Sequence, residues 1–351
     1  MNDHVLLTGA SGLVGAEVAA RLEAAGRPVV ALTHRAAHLV GNDGRDVAVT
    51  ASLAGDVRLP GFGVARIPDV GVIVHCAATT AFDAPAADYD ELNVAGTAHA
   101  IEVARRLDVP LVHVSTAYVC GMRGGTVAET DLDVGQEFGN RYERSKFRAE
   151  QRVTAARRDG LRAVTVRPGI VAGESVDGGI RDHKNLYTVV KLMVEGKLRT
   201  LPGRYDATIS LAPVDYVADV VTAATCQAAD LDGQCFHAVG AHALTLRELS
   251  DVLAEYPSFA VATFVPATSF DAAALAPVER EYYRRVGSLY TSYFERRIHF
   301  DTTNAEALLG RPSPDCGADY LRLLLDHCLE IGYLGSPLPS VESVLARFGV
   351  V

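Results

Sequence analysis

The sequence predicts an α/β protein: a doubly wound parallel sheet of about seven strands with a smaller, mainly helical C-terminal domain. Two observations lead there. Short apolar runs rich in Val, Ile and Leu recur at residues 4–7, 28–32, 47–50, 72–75, 111–114 and 163–166, the pattern of strands buried on both faces. Ala-rich helical stretches at 13–25, 89–107 and 142–158 fall between them. Strand, helix, strand in repeated order implies parallel pairing with helices on both sides.

After Pro168 the rhythm breaks. GIVAGESVDGGI is glycine-rich and reads as loop. Residues 181–204 gather Arg181, Lys184, Lys191, Lys197, Arg199 and Arg204, which makes this segment a candidate substrate-facing insertion. Residues 213–224 read as a helix and 235–239 as one more strand returning to the sheet. From about residue 244 the pattern is mainly helical. The expected division is 1–175 with 205–240 for the sheet domain, and 176–204 with 241–351 for the second domain.

The chain has 351 residues, 49% hydrophobic and 22% charged, which is a globular composition large enough for a sizeable core. A formal net charge of −10 argues against general nucleic-acid binding, which needs cations to meet phosphates. The N-terminus, MNDHVLLTGA, runs straight into a strand pattern, and no apolar run reaches membrane-spanning length; a cytoplasmic protein without a membrane span is expected. Cys76, Cys120, Cys226, Cys235, Cys316 and Cys328 are scattered with no C-x-x-C, so they read as reduced thiols, and no metal site is expected.

The strongest local signal is Thr8-Gly9-Ala10-Ser11-Gly12-Leu13-Val14-Gly15, which follows a strand and opens a helix. Gly9 permits a tight turn, Gly12 lets backbone approach a pyrophosphate, and Gly15 lets the helix pack close to the strand. The helix N-terminus then offers unpaired N–H groups to the anion. The reading is a Rossmann-type dinucleotide site. In NAD-specific sites an acid about 20 residues on holds the ribose hydroxyls. Here the second strand ends in Thr33-His34-Arg35, with no acid. Arg35, with His34, would welcome a 2′-phosphate, which favours NADP(H); the alternative is that Arg35 is a solvated loop residue.

Tyr142-Glu143-Arg144-Ser145-Lys146 places a phenol and an ammonium four residues apart, on one face of a helix. A nearby cation favours the phenolate, so Lys146 is expected to lower the Tyr142 proton affinity and ready it for acid–base work. A third hydroxyl should come from the end of the strand at 111–114. Thr116 is the choice and Ser115 the rival; the alternative for either is a strand-end hydroxyl that caps local backbone.

With these motifs in view, the chain resembles the extended short-chain dehydrogenase/reductase superfamily: TGASGLVG, HCAATTAF, NVAGT, VSTAYV, YERSK and RPGIV occur in the expected order. The resemblance implies a Thr116–Tyr142–Lys146 site acting with a nicotinamide. It would place Asp56 and Val57 near the adenine, and Ala77, Ala78 and Thr79 along the dinucleotide. Asn93 would support Lys146 through water, and Pro168 and Ile170 would flank the nicotinamide. GDVRLPGFG, VHCAATTAFD, HVSTAYVCG and LAPVDYVADVV are similar, more narrowly, to the thioester reductase and fatty acyl-CoA reductase branch. That branch implies NADPH-dependent reduction of an acyl thioester, on a carrier protein or coenzyme A, to an aldehyde or alcohol. The basic segment would then meet phosphopantetheine or coenzyme A, or simply be a solvated face, and the aromatic residues Tyr282, Tyr283 and 290–294 would line an acyl pocket or pack between helices. Reduction of a free ketone or aldehyde, nucleotide-sugar epimerisation and a non-catalytic dinucleotide sensor are the other readings of the same motifs; the missing acid after the second strand speaks against epimerisation.

Overall fold

The computed structural model describes residues 3–34 and 38–335. Its centre is a seven-stranded sheet. The strands are β1 (Val5–Thr8), β2 (Val29–Thr33), β3 (Ala51–Ala54), β4 (Val72–His75), β5 (Leu111–Val114), β6 (Ala163–Pro168) and β7 (Cys235–Ala238). They lie in the order β3-β2-β1-β4-β5-β6-β7, every neighbouring pair parallel. The order reverses beside β1, which creates the crevice where such sheets bind ligands, outside the carboxyl ends of the strands.

The helices that position the site are α1 (Leu13–Ala24), α2 (Gly96–Leu107), α3 (Arg141–Arg158), α4 (Leu186–Val194) and α5 (Val214–Cys226). One apolar layer joins Val18, Leu22, Val217 and Val221 from α1 and α5 to Val5, Leu7 and Val74 of the sheet. The opposite layer joins Ala100, Val103 and Val153 from α2 and α3 to Leu6, Ile73 and Leu111. The alternation of β1 side chains between these two layers follows from the period-2 pleat. A third cluster lies beyond the strand ends, where Met193, Leu201, Leu253, Phe294 and Leu325 pack together. It is built from helices and from short strand pairs such as Thr200–Pro202 with Thr263–Val265.

Two elements differ from the sequence reading. The third sheet strand is Ala51–Ala54, not 47–50; Asp46–Val47 instead pairs antiparallel with Leu39–Val40. As the sheet edge, β3 is mostly solvent-exposed and needs no apolar run. The helical stretch at 89–107 begins as a π-helix, Tyr89–Ala95, before α2. Such wide turns often mark functional positions, and this one carries Asn93. No helix among the described residues is long and apolar enough to cross a membrane.

Candidate active site

The glycine turn forms a cradle. Gly9 has φ +72°, and a Cβ there would meet the Ala77 backbone nitrogen at 2.6 Å. A Cβ on Gly15 would stand 2.1 Å from the Gly9 carbonyl oxygen, so only glycine lets α1 pack this close to β1. At Gly12 the nearest atom to an added Cβ is 3.3 Å away, so nothing in the fold itself demands glycine as strictly there. Gly12 is the N-cap of α1 and has no capping side chain, which leaves the first-turn amides open to an anion. Those features fit a dinucleotide pyrophosphate.

From this turn a cleft of about 360 Å³ runs along the strand ends. Gly9, Gly12, Leu13, Val14 and Gly15 line one end; Ala78, Thr116, Tyr142, Lys146, Pro168 and Ile170 line its middle. Ser11 is exposed, and its carbonyl accepts from Arg181 at 3.4 Å. Ala77 packs over Gly9, and its N–H reaches the Thr8 hydroxyl at 3.4 Å.

The sequence itself fixes the start of α3. Asn140 is its N-cap, accepting from the Glu143 N–H at 2.9 Å, while the Glu143 carboxylate takes the Asn140 amide at 3.1 Å and the Gly139 N–H at 3.2 Å. Tyr142 is therefore held in a rigid first turn, half-buried, with Phe82 5.7 Å from its ring. Its side chain hydrogen-bonds Thr116. Thr116 Oγ1 also donates to the Pro168 carbonyl at 3.3 Å. Ser115, the rival hydroxyl, turns away and donates to Glu150 at 2.7 Å.

Lys146 is buried, and its Nζ donates to the Val114 carbonyl at 2.8 Å. Burial lowers its pKa to about 8, with Glu150 opposing. Burial pushes the Tyr142 phenol up to about 12; the Thr116 hydrogen bond works against this and Glu143 adds to it. The expectation that Lys146 lowers the phenol is thus corrected. Desolvation dominates, and the ammonium is directed at a backbone carbonyl.

Asn93 is fully buried. It accepts from the Thr79 N–H at 2.8 Å and donates to the Thr79 carbonyl at 3.1 Å and to Ser145 Oγ at 2.8 Å. Ser145 in turn donates to the Tyr142 carbonyl at 2.7 Å. Asn93 so clamps the loop after β4 to the first turn of α3, without itself touching Lys146.

Beyond β2, His34 Nε2 lies 3.4 Å from an Asp56 carboxylate oxygen, which also meets Arg58 at 2.6 Å. The Arg58 hydrogen bonds hold Asp56 down to about 2. Val57 is buried, and its carbonyl lies 2.8 Å from His99 Nδ1. Arg35 lies outside the described residues. Arg58 escaped the sequence reading although it directly follows the Asp56-Val57 pair.

The far wall of the cleft is aromatic. Phe82, Tyr118, Tyr290, Tyr293 and Phe294 line it, with Phe82 5.0 Å from Tyr290 and Tyr118 4.7 Å from Tyr293. Tyr282 and Tyr283 lie elsewhere, under Lys197 and against Phe270. Most cations of the basic segment have partners away from the cleft. Lys197 meets Glu195 at 2.6 Å, Arg204 meets Asp206 at 2.8 Å, and Lys191 donates to the Tyr333 carbonyl at 2.6 Å. Of its six cations, only Lys184 lines the cleft.

A glycine cradle at the head of α1, with a phenol and an ammonium over the next strand ends, defines a protein that binds a nicotinamide dinucleotide. A family model described as Male sterility protein, of the NAD-binding type, matches residues 50–221. The L-2-aminoadipate reductase large subunit of Penicillium chrysogenum is 28% identical over 257 residues, covering 62% of this chain and 18% of that protein. Fatty acyl-CoA reductase wat of Drosophila melanogaster is 28% identical over 207 residues, 49% of this chain and 40% of that one. The chain thus spans under half the length of these relatives. The terminal R domain from the myxalamid PKS-NRPS biosynthetic pathway shares the fold, with a TM-score of 0.76 at 21% identity over 95% of this chain and 92% of that one. The family model and these relatives fit the extended short-chain dehydrogenase/reductase superfamily, on its thioester reductase and fatty acyl-CoA reductase branch.

Proposed function

We propose that this protein is an NADPH-dependent reductase of an acyl thioester, carried on a carrier protein or coenzyme A, giving an aldehyde or alcohol. The observation that carries the reading is the meeting of Thr116, Tyr142 and Lys146 in the cleft that the glycine turn opens. The family relationship adds the thioester. When bound, the nicotinamide supplies a hydride to the acyl carbon.

The residues of the chain supply the rest. Thr116 and Tyr142 hydrogen-bond the acyl oxygen as negative charge develops there; one such placed donor is worth about 3–4 kcal/mol. Tyr142 then gives its proton to that oxygen, forming a hemithioacetal; as the carbon–sulfur bond breaks and the carbonyl re-forms, the hydroxyl proton returns to the Tyr142 phenolate and the sulfur leaves as thiolate. A phenol held up to about 12 is protonated at neutral pH, which suits donation, and hence reduction. Lys146, at about 8, is still mostly charged there and can hold the ribose and assist the phenol. The aromatic wall excludes water and receives the acyl group.

His34 and Arg58, drawn to one carboxylate beside β2, support a 2′-phosphate and so NADP(H) over NAD(H). The same reading treats 1–175 with 205–240 as the cofactor domain and 176–204 with 241–351 as the substrate domain. The test is NADPH and NADH oxidation against a panel of acyl-CoA and acyl-pantetheine thioesters beside free ketones and aldehydes. Turnover of thioesters with NADPH is expected; turnover confined to free carbonyls would move the assignment to carbonyl reduction.

A further inference from the structure

Helix α3 meets the end of β5 with more than a phenol and an ammonium. Tyr142, Lys146 and Glu150 stand at four-residue intervals on one helical face. They engage three consecutive residues at the end of the strand, Val114, Ser115 and Thr116. Tyr142 bonds Thr116, Lys146 Nζ donates to the Val114 carbonyl at 2.8 Å, and Ser115 Oγ donates to Glu150 at 2.7 Å. Glu150 is buried, and its carboxylate also takes Arg167 through Nη2 at 2.5 Å and Nε at 3.1 Å. Arg167, equally buried, sits on β6 immediately before Pro168, whose carbonyl accepts from Thr116. One carboxylate thereby ties two neighbouring strand ends to the helix of the proton donor. As a source of stability such a pair is weak, because desolvation offsets the attraction.

We propose that Glu150 is a positioning residue of this site, fixing the Ser115–Thr116 strand end against α3 and standing as the buried carboxylate one helical turn from the Lys146 ammonium. The inference rests on the reductase reading above.

The surroundings of Lys146 support it. The titratable groups acting on or near the ammonium are His75 on β4, Cys76 just after it, His113 on β5 and Glu150 on its own helix. Burial holds His75 down to about 3 and His113 well below its ordinary range, so both imidazoles are neutral. Burial lifts the Cys76 thiol to about 12, so it too is neutral. Glu150, its own charge balanced by Arg167, is the carboxylate left to oppose the desolvation of Lys146.

The test compares the wild type with Glu150→Gln, Glu150→Asp and the double variant Glu150→Gln/Arg167→Met, which leaves neither member of the Glu150–Arg167 pair behind as an unpaired charge. Two quantities are read: the pH profile of kcat/KM, and a ¹³C NMR titration of the lysines in the cofactor-free protein. The second is tractable because the chain holds only Lys146, Lys184, Lys191 and Lys197. In Glu150→Gln and in the double variant, the Lys146 midpoint should fall by about one pH unit. The alkaline limb of kcat/KM should follow, so that turnover falls about twofold at about pH 7 and about 10-fold at about pH 9, with KM within about twofold. Glu150→Asp should recover most of the loss. An unmoved Lys146 midpoint, or wild-type turnover in the double variant, would reduce Glu150 to a counter-ion for Arg167 and overturn the proposal. If the wild type turns over no thioester or carbonyl, the reductase reading fails, and the NMR titration alone decides on Glu150 and Lys146.

Discussion

Glu143 and Arg296 form an ion pair, 2.7 Å from Oε1 to Nη2, with neither side chain more than 2% exposed. Glu143 directly follows Tyr142. Arg296 also donates to the Gly121 and Ser292 carbonyls and stacks 4.6 Å from the centre of Tyr293, a wall residue of the cleft. The pair thus locks the turn that carries Tyr142 to the aromatic wall. Arg296→Met leaves the Glu143 carboxylate buried and unpaired, and should cost about 3–5 kcal/mol. Glu143→Leu/Arg296→Met should recover much of that. Urea unfolding of the two variants checks the order; equal losses would mean that the pair is not the source.

The glycine turn separates folding from binding. Gly15→Ala drives a Cβ to 2.1 Å from the Gly9 carbonyl oxygen, so α1 must shift off β1 and thermal stability should drop. Gly12→Ala meets nothing closer than 3.3 Å, so it should fold normally yet bind NADPH at least about 10-fold more weakly, because its methyl stands where the pyrophosphate approaches. Melting temperature and fluorescence titration with NADPH read the two effects. Normal cofactor affinity in Gly12→Ala would contradict the cradle.

Acid should weaken the fold through its buried imidazoles. Burial holds His75 and His237 to about 3 and depresses His113 strongly. Each therefore binds fewer protons folded than unfolded. The stability involved is intact above the unfolded pKa of about 6.5 and is lost as pH falls from there toward 3. Each group contributes a slope of up to about 1.4 kcal/mol per pH unit. Urea unfolding from pH 8 to pH 4.5 should show this loss, and His113→Leu should flatten it. A pH-independent stability over that range would show that these rings take up protons without unfolding.

Much of the sheet was legible because parallel strands buried on both faces are nearly uninterrupted apolar runs. Val72–His75 and Leu111–Val114 match the sequence reading to the residue. The edge strand Ala51–Ala54 was not, since exposure relieves it of that pattern. In the site, the glycine turn and the Tyr142–Lys146 spacing are local in sequence and could be read directly. Glu150 could not: its meaning comes from Arg167 on another strand and from Ser115, 35 residues before it. Arg58 adjoins Asp56 in sequence, but its part in the site was hidden because only folding brings His34 to the same carboxylate. The effect of Lys146 on Tyr142 was misjudged because spacing along a helix says nothing of how deeply the phenol is desolvated.

The most direct test of the account is NADPH oxidation by the wild type and by Tyr142→Phe on the best acyl thioester of the panel, with NADPH binding measured on both proteins. The phenol is the proton donor in this account, so the variant should bind NADPH as the wild type does and lose at least about 100-fold in turnover. Turnover at the wild-type rate in Tyr142→Phe would contradict it.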